Sequence, residues 1–297
     1  IKLLLCIMLI SLNFFKCYNL FCLDKRENNF MDFSLIIGII VGLSSIIAGF
    51  LYEKGNLMSL LLPSPIMIVV GGTVGAVLAS FSISDISKAF KALKYTFSKK
   101  SKGDPKMVIE KISKVSEMCR REGLLKIEDA LKDPEINKDE YLFLKEGLIL
   151  VLEGRGEEEI QYVLESDIRA FTAQKQLEIA VFESAGGFSP TMGVLGTVMS
   201  LVNVLANMGD NASELAASIA TAFVATLYGV GLANIIYLPI ATKLKSDLKR
   251  QKIQKEMILD GICMIAKGEA SRNIENKLSL YWQAFPGGAK NYKAGIE

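Results

Sequence analysis

Four long stretches of this 297-residue chain carry no charged side chain. They cover 33–52, 55–84, 184–209 and 215–242, which is 20, 30, 26 and 28 residues. An α-helix rises about 1.5 Å per residue, so about 20 apolar residues cross a hydrocarbon layer of about 30 Å. Each stretch is long enough, whereas buried helices of soluble domains are usually shorter and broken by polar positions. Four membrane-spanning helices are therefore expected, over 33–52, 58–82, 184–208 and 215–240.

Charge orders the rest. Of the 34 Lys and Arg, 18 fall within 85–183 and 11 within 243–297. The links between the first and second runs and between the third and fourth are hairpin-short and hold a single lysine, Lys54. Lys88, Lys91, Lys94, Lys99 and Lys100 follow the second run; Lys243, Lys245, Lys249, Arg250, Lys252 and Lys255 follow the fourth. Positive charge gathers at cytoplasmic span ends. The 85–183 loop and the 241–297 tail are thus both expected in the cytoplasm, as two membrane hairpins require.

The loop reads as helical. Val108, Ile112, Val115 and Cys119 recur at helical spacing, with Gly123 as a stop. Asp133-Pro134 marks a break, and Asn137 is placed to cap a helix through Leu152. After Gly156 the apolar pattern of Ile160, Val163, Leu164, Ile168 and Phe171 runs on without a breaker, so this helix should feed directly into the third span. Residues 243–280 alternate charged and apolar positions like a surface helix, ending near Pro286. No strand is indicated, and the architecture is all-α. Residues 1–30 read three ways: a signal peptide without a clear cleavage site, a short extra membrane segment, or sequence upstream of a start at Met31. The last is the expectation.

Absences narrow the chemistry. There is no histidine, which removes His-based catalysis and metal binding. The five cysteines contain no Cys-x-x-Cys and are too scattered for a disulfide framework. No P-loop, metal cluster or nucleophile arrangement appears, so no enzyme, no cofactor and no nucleic-acid partner are expected. No Asp, Glu, Lys or Arg lies inside any of the four runs. An ion carrier needs a titratable group near the bilayer midplane, so if this chain moves ions, a partner supplies the carboxylate. Polar residues do occur: Pro190, Thr191, Thr197, Ser200 and Asn203 in the third run, Thr221, Thr226, Tyr228, Asn234 and Pro239 in the fourth. Helix packing and hydroxyl bonds to the helix's own carbonyls account for many such residues. The two prolines each remove a backbone donor and can bend a helix.

These residues carry a resemblance. The segment FSPTMGVLGT at 188–197, followed by LANM at 205–208, resembles the third transmembrane helix of the MotA/PomA flagellar stator subunits. AFVATLYG at 222–229, with LAN at 232–234 and LPIA at 238–241, resembles their fourth. RREGLLKIED at 120–129, closing at Asp133-Pro134, is similar to their rotor-contacting loop. The resemblance covers about 31–270 and includes span number, loop size and order. It implies a homopentamer around a dimer of MotB, whose transmembrane aspartate binds the ion, with torque delivered to the rotor protein FliG. By the same resemblance, Arg120 and Glu128 match the rotor-contacting pair, with Arg121, Lys126 and Asp129 as neighbours. Pro190 and Pro239 match the membrane prolines, and Thr197 and Thr226 the ion-path threonines. The coupling ion is expected to be H⁺, with a Na⁺-coupled PomA type as the alternative. An ExbB/TolQ-type energiser is a further alternative, set back by its three spans against four here.

Overall fold

The computed structural model describes residues 34–97, 105–138, 141–206, 212–281 and 285. Residues 1–30 with Met31, Lys99 and Lys100, Asp210, and Pro286 lie outside this set. Among the described residues every regular element is helical. Four helices are long and apolar enough to cross a membrane.

The first hairpin is built from α1 (Ser34–Tyr52) and α2 (Pro63–Ser80). Lys54, at φ 60°, turns the chain, and Asn56 caps a short 3₁₀ turn by accepting from the Met58 N–H at 3.0 Å. The second span starts five residues later than the sequence pattern suggests. Leu62, ahead of Pro63, is held extended at φ −97°, ψ 124°, because a proline ring crowds a helical conformation at the preceding residue. Pro63 then opens the helix, where its missing N–H costs nothing. Inside α2 the ladder widens to a π turn over Met67–Gly71. Phe81 is extended and breaks the rod, and Ser82 starts α3 (Ile83–Phe97). The Ser82 hydroxyl accepts from the Asp85 N–H at 3.2 Å, which satisfies one helix-end donor, and donates to the Asp85 carboxylate at 2.7 Å.

Three helices follow: α4 (Pro105–Glu122), α5 (Ile127–Leu131) and α6 (Leu142–Leu152). Val108, Ile112 and Val115 face inward as expected, and Gly123 ends α4 at φ 89°. Asn137 does not cap α6. That helix starts five residues later, with no side-chain cap at Tyr141. The Asn137 amide instead reaches back to the Leu131 and Asp133 carbonyls, 3.3 Å each, and accepts from Lys145 at 2.7 Å. It ties down the loop, not the helix.

Two rods join these helices to the membrane. The first, α7 (Glu157–Ala206), runs 50 residues without interruption through Pro190. The second consists of α8 (Ala212–Leu232), a π turn over Ala233–Tyr237, and α9 (Leu238–Ala266). The sequence pattern suggests a surface helix after the fourth span. Instead α9 continues that span directly, and Met257, Ile258, Ile262 and Ile265 are buried in a core with Ile112, Ile127, Leu144, Leu148, Ile160 and Leu164. Gly268, at φ 72°, stops α9, and α10 (Ser271–Ser279) returns to seal this core with Ile274 and Leu278. Fully burying an aliphatic side chain is worth about 1.5–3 kcal/mol, so α9 and α10 are structural members of a helical head. A smaller core where head and spans meet joins Val77, Ala89, Ile179, Phe182, Ala185, Ile240 and Leu244.

Candidate functional site

Backbones touch along the seam between α7 and α8. A Cβ on Gly193 would lie 3.0 Å from the Ala225 carbonyl oxygen and 3.2 Å from the Gly229 Cα. Membrane helices approach this closely only through small residues. The fully buried Ser189 hydroxyl donates across the seam to the Gly229 carbonyl at 3.0 Å. Two turns along α7, the Thr197 and Thr226 hydroxyl oxygens stand 2.6 Å apart, with the Ala222 carbonyl 3.0 Å and the Gly193 carbonyl 3.1 Å from Thr197. Each hydroxyl has one proton to give. Thr226 donating to Thr197, and Thr197 to a carbonyl, uses both.

Three other polar side chains in these spans bond locally. Thr191 bonds to Phe188, Thr221 to Ala217 and Asn234 to Val230, each within its own helix. That separates Thr197 and Thr226, which bridge two helices, from residues that merely satisfy themselves. Tyr228 also bridges, donating to the Leu60 carbonyl at 2.6 Å and so tying α8 to the lead-in of α2.

The two prolines meet the same seam. Pro190 leaves the Gly186 carbonyl without its usual intrahelical donor. Gly186 is buried against α9, where a Cβ would come 2.7 Å from Leu238, the residue before Pro239. The π turn over Ala233–Tyr237 ends immediately before that pair. Pro190, Pro239, Thr197 and Thr226 are thus gathered on one helical hairpin. Hydroxyls do not titrate near neutral pH, and no Asp, Glu, Lys or Arg occurs in α1 or α2, in α7 beyond Glu183, or in α8 after Glu214. The seam can orient water or bond to a group brought from outside; it cannot itself hold a transferable proton.

The loop residues form a separate tip, where α4 ends and α5 begins. Arg120 and Glu128 are both exposed and do not pair with each other. Glu128 bonds to Lys132 at 3.1 Å, Arg121 to Glu117 at 2.5 Å, and Lys126 to both Glu122 at 3.2 Å and Asp129 at 3.1 Å. The hydrogen bond from Lys126 holds the Asp129 carboxyl below the usual carboxylate range, and Asp129 and Glu122 push Lys126 up. Glu128 raises Lys132 in the same way. Arg120 makes no ion pair among the described residues. The motif also places Leu124 and Leu125 on a 3₁₀ turn with both side chains exposed. Neither leucine is among the residues that the resemblance assigns to the tip; the signal present in the sequence is an apolar pair directly after a glycine stop.

Four apolar spans, a hydroxyl-bridged seam between two of them and a charged helical head define an integral membrane protein. Residues 135–257 match the model of the MotA/TolQ/ExbB proton channel family, and 36–123 match the motility protein A N-terminal region. Motility protein A of Bacillus subtilis is 32% identical over 254 residues, 86% of this chain and 92% of that one. Chemotaxis protein PomA of Vibrio alginolyticus is 30% identical over 251 residues, 84% of this chain and 95% of its own length. The flagellar MotAB stator complex from Bacillus subtilis contains a chain that superposes with a TM-score of 0.77 at 30% identity, covering 86% of this chain and 98% of that one. The chain belongs to the MotA/TolQ/ExbB proton channel family and is a MotA-type subunit within it.

Proposed function

We propose that this chain is the stator subunit of a flagellar motor, working as a homopentamer around a dimer of a MotB-type protein in the bacterial cytoplasmic membrane. The MotB-type helix brings the carboxylate that these spans lack. Protons passing that carboxylate turn the ring, and the tip around Arg120 and Glu128 drives the rotor protein FliG. The head and α10 lie in the cytoplasm, in keeping with the lysines at 88, 91 and 94 after α2 and at 243, 245 and 249 in α9.

The observation that carries this reading is the Thr197–Thr226 bridge, set in the hairpin stretches 184–209 and 215–242 that hold no Asp, Glu, Lys or Arg. Its oxygens can accept from a partner's carboxyl once that group is protonated, and these stretches have no proton site of their own. The match to a family described as proton channels favours H⁺ over Na⁺. The four spans and the matched motility protein A region weigh against an ExbB/TolQ-type energiser.

The test is swimming speed in a stator-deficient host expressing this chain with a MotB-type partner. Speed should collapse with a protonophore and be indifferent to replacement of sodium by potassium. Dependence on sodium alone would make it a Na⁺-coupled PomA type. No motility, despite membrane insertion of both proteins, would reject the stator role.

A further inference from the structure

The tip carries an apolar side chain that nothing covers. Leu125 is 80% exposed and Leu124 43%, and Leu125 is the most exposed large apolar residue among those described. Met67 at 75% and Phe223 at 71% fall on spans, where lipid takes the place of solvent, while Ile83 at 79% starts α3 and Tyr162 at 68% lies on the head part of α7. Leu125 lies in the charged head, away from the spans in sequence and packed into neither core.

Its presentation is stiff. Gly123, at φ 89°, turns the chain out of α4, and the Lys126 N–H bonds back to the Gly123 carbonyl at 3.2 Å. Two residues beyond Leu125, the side chain of Ile127 is fully buried in the head core. A side chain fixed on a tight turn beside a buried neighbour loses little freedom on docking. The surrounding charges are largely engaged with one another, as Lys126 with Glu122 and Asp129, and Glu128 with Lys132. Exposed pairs of this kind add little net attraction. An apolar centre ringed by charge is the arrangement of protein–protein contacts, in which a few central side chains carry most of the affinity.

We infer that Leu125, with Leu124 beside it, is the anchor by which the head engages its rotor partner, entering an apolar recess bordered by charge on that protein. This rests on the reading that the tip faces the rotor. The charged rim sets register and approach, and the leucine supplies the grip. An anchor of one or two side chains also lets the contact release as the rotor moves on.

The experiment places Leu125→Asn, Leu125→Met and Glu128→Lys in the full chain, expressed with a MotB-type partner in motile cells. Stall torque of tethered cells and ring assembly on native gels are measured for each. The anchor requires a several-fold loss of torque in Leu125→Asn with rings intact, and near-normal torque in Leu125→Met. If Leu125→Asn matches the wild type while Glu128→Lys is impaired, the anchor is overturned and the rotor-facing tip stands. If both variants match the wild type, anchor and tip reading fall together. Loss of rings in Leu125→Asn also overturns the anchor, since the leucine would then serve subunit packing.

Discussion

The Cα of Gly193 lies 3.0 Å from the point where a side chain on Gly229 would begin, and the Ser189 carbonyl oxygen lies 2.7 Å from it. Both obstacles are backbone, which cannot swing aside. Gly229→Ala should therefore separate α7 from α8 at a cost of about 1–3 kcal/mol, the usual range for overpacking. Thermal dissociation of the detergent-purified complex would report it. Gly231→Ala, with open space around its Cβ, is the matched control and should melt at or slightly above the wild-type temperature. Equal stability of the two variants would mean that the seam gives way.

Removing one half of the hydroxyl bridge tests a different property. An interhelical hydrogen bond in a membrane averages about 0.6 kcal/mol, so Thr226→Val should barely change assembly. Swimming speed should nevertheless fall sharply, while Thr226→Ser, which keeps the oxygen, stays near normal. A Val variant swimming at wild-type speed would reduce the bridge to packing.

Reversing Glu128 to Lys breaks its bond to Lys132. Both side chains are about two-thirds exposed, and surface changes of this kind usually stay within about 0.5 kcal/mol. Stability should hold while motility drops. Adding Lys132→Glu restores the local pair with its signs exchanged, and motility should stay impaired if Glu128 acts on a partner. Recovery in the double variant would instead assign the effect to the local pair.

The head should lose stability in alkali. Burial, with smaller contributions from Glu157 and Asp260, pushes the Cys263 thiol up to about 11. Burial and a 2.5 Å hydrogen bond to Asp260 also raise Tyr281. A group whose folded pKa is raised stabilises fully below its unfolded value of about 9.0, and that stability is lost as the pH climbs through the folded value. Melting temperature followed by circular dichroism should decline from about pH 9 upward, with a shallower slope in Cys263→Ala. An identical slope in wild type and variant would exclude the thiol as a cause.

The membrane half of this molecule was legible because lipid imposes one strong rule: a spanning helix must go about 20 residues without charge. The same reading missed the start of α2 by five residues, because composition cannot register that Pro63 holds Leu62 extended. The tail was harder. Apolar and charged positions alternate along α9 as on any half-exposed helix, and only the arrival of α4, α6 and α10 makes Met257 and Ile262 core residues. Asn137 has the chemistry of a cap, yet the carbonyls of Leu131 and Asp133 lay nearer than any helix start. At the seam, the motif suggested Thr197 and Thr226 without saying that they touch. Their contact depends on Gly193 and Gly229, far apart in sequence, letting two backbones close up. At the tip, attention to charge hid Leu125, since exposure is decided by a turn and not by residue type.

The uninterrupted course of α7 has a mechanical corollary. Fifty residues at about 1.5 Å each make a shaft of roughly 75 Å. Its membrane end carries Thr197, and its other end, through Ile160 and Leu164, is bolted into the head core that also holds Ile127. The helix is continuous between the two, with Pro190 the point where its ladder loses a bond. A twist at the membrane end therefore passes to the head along one rod, carried sideways by the radius at which the tip stands.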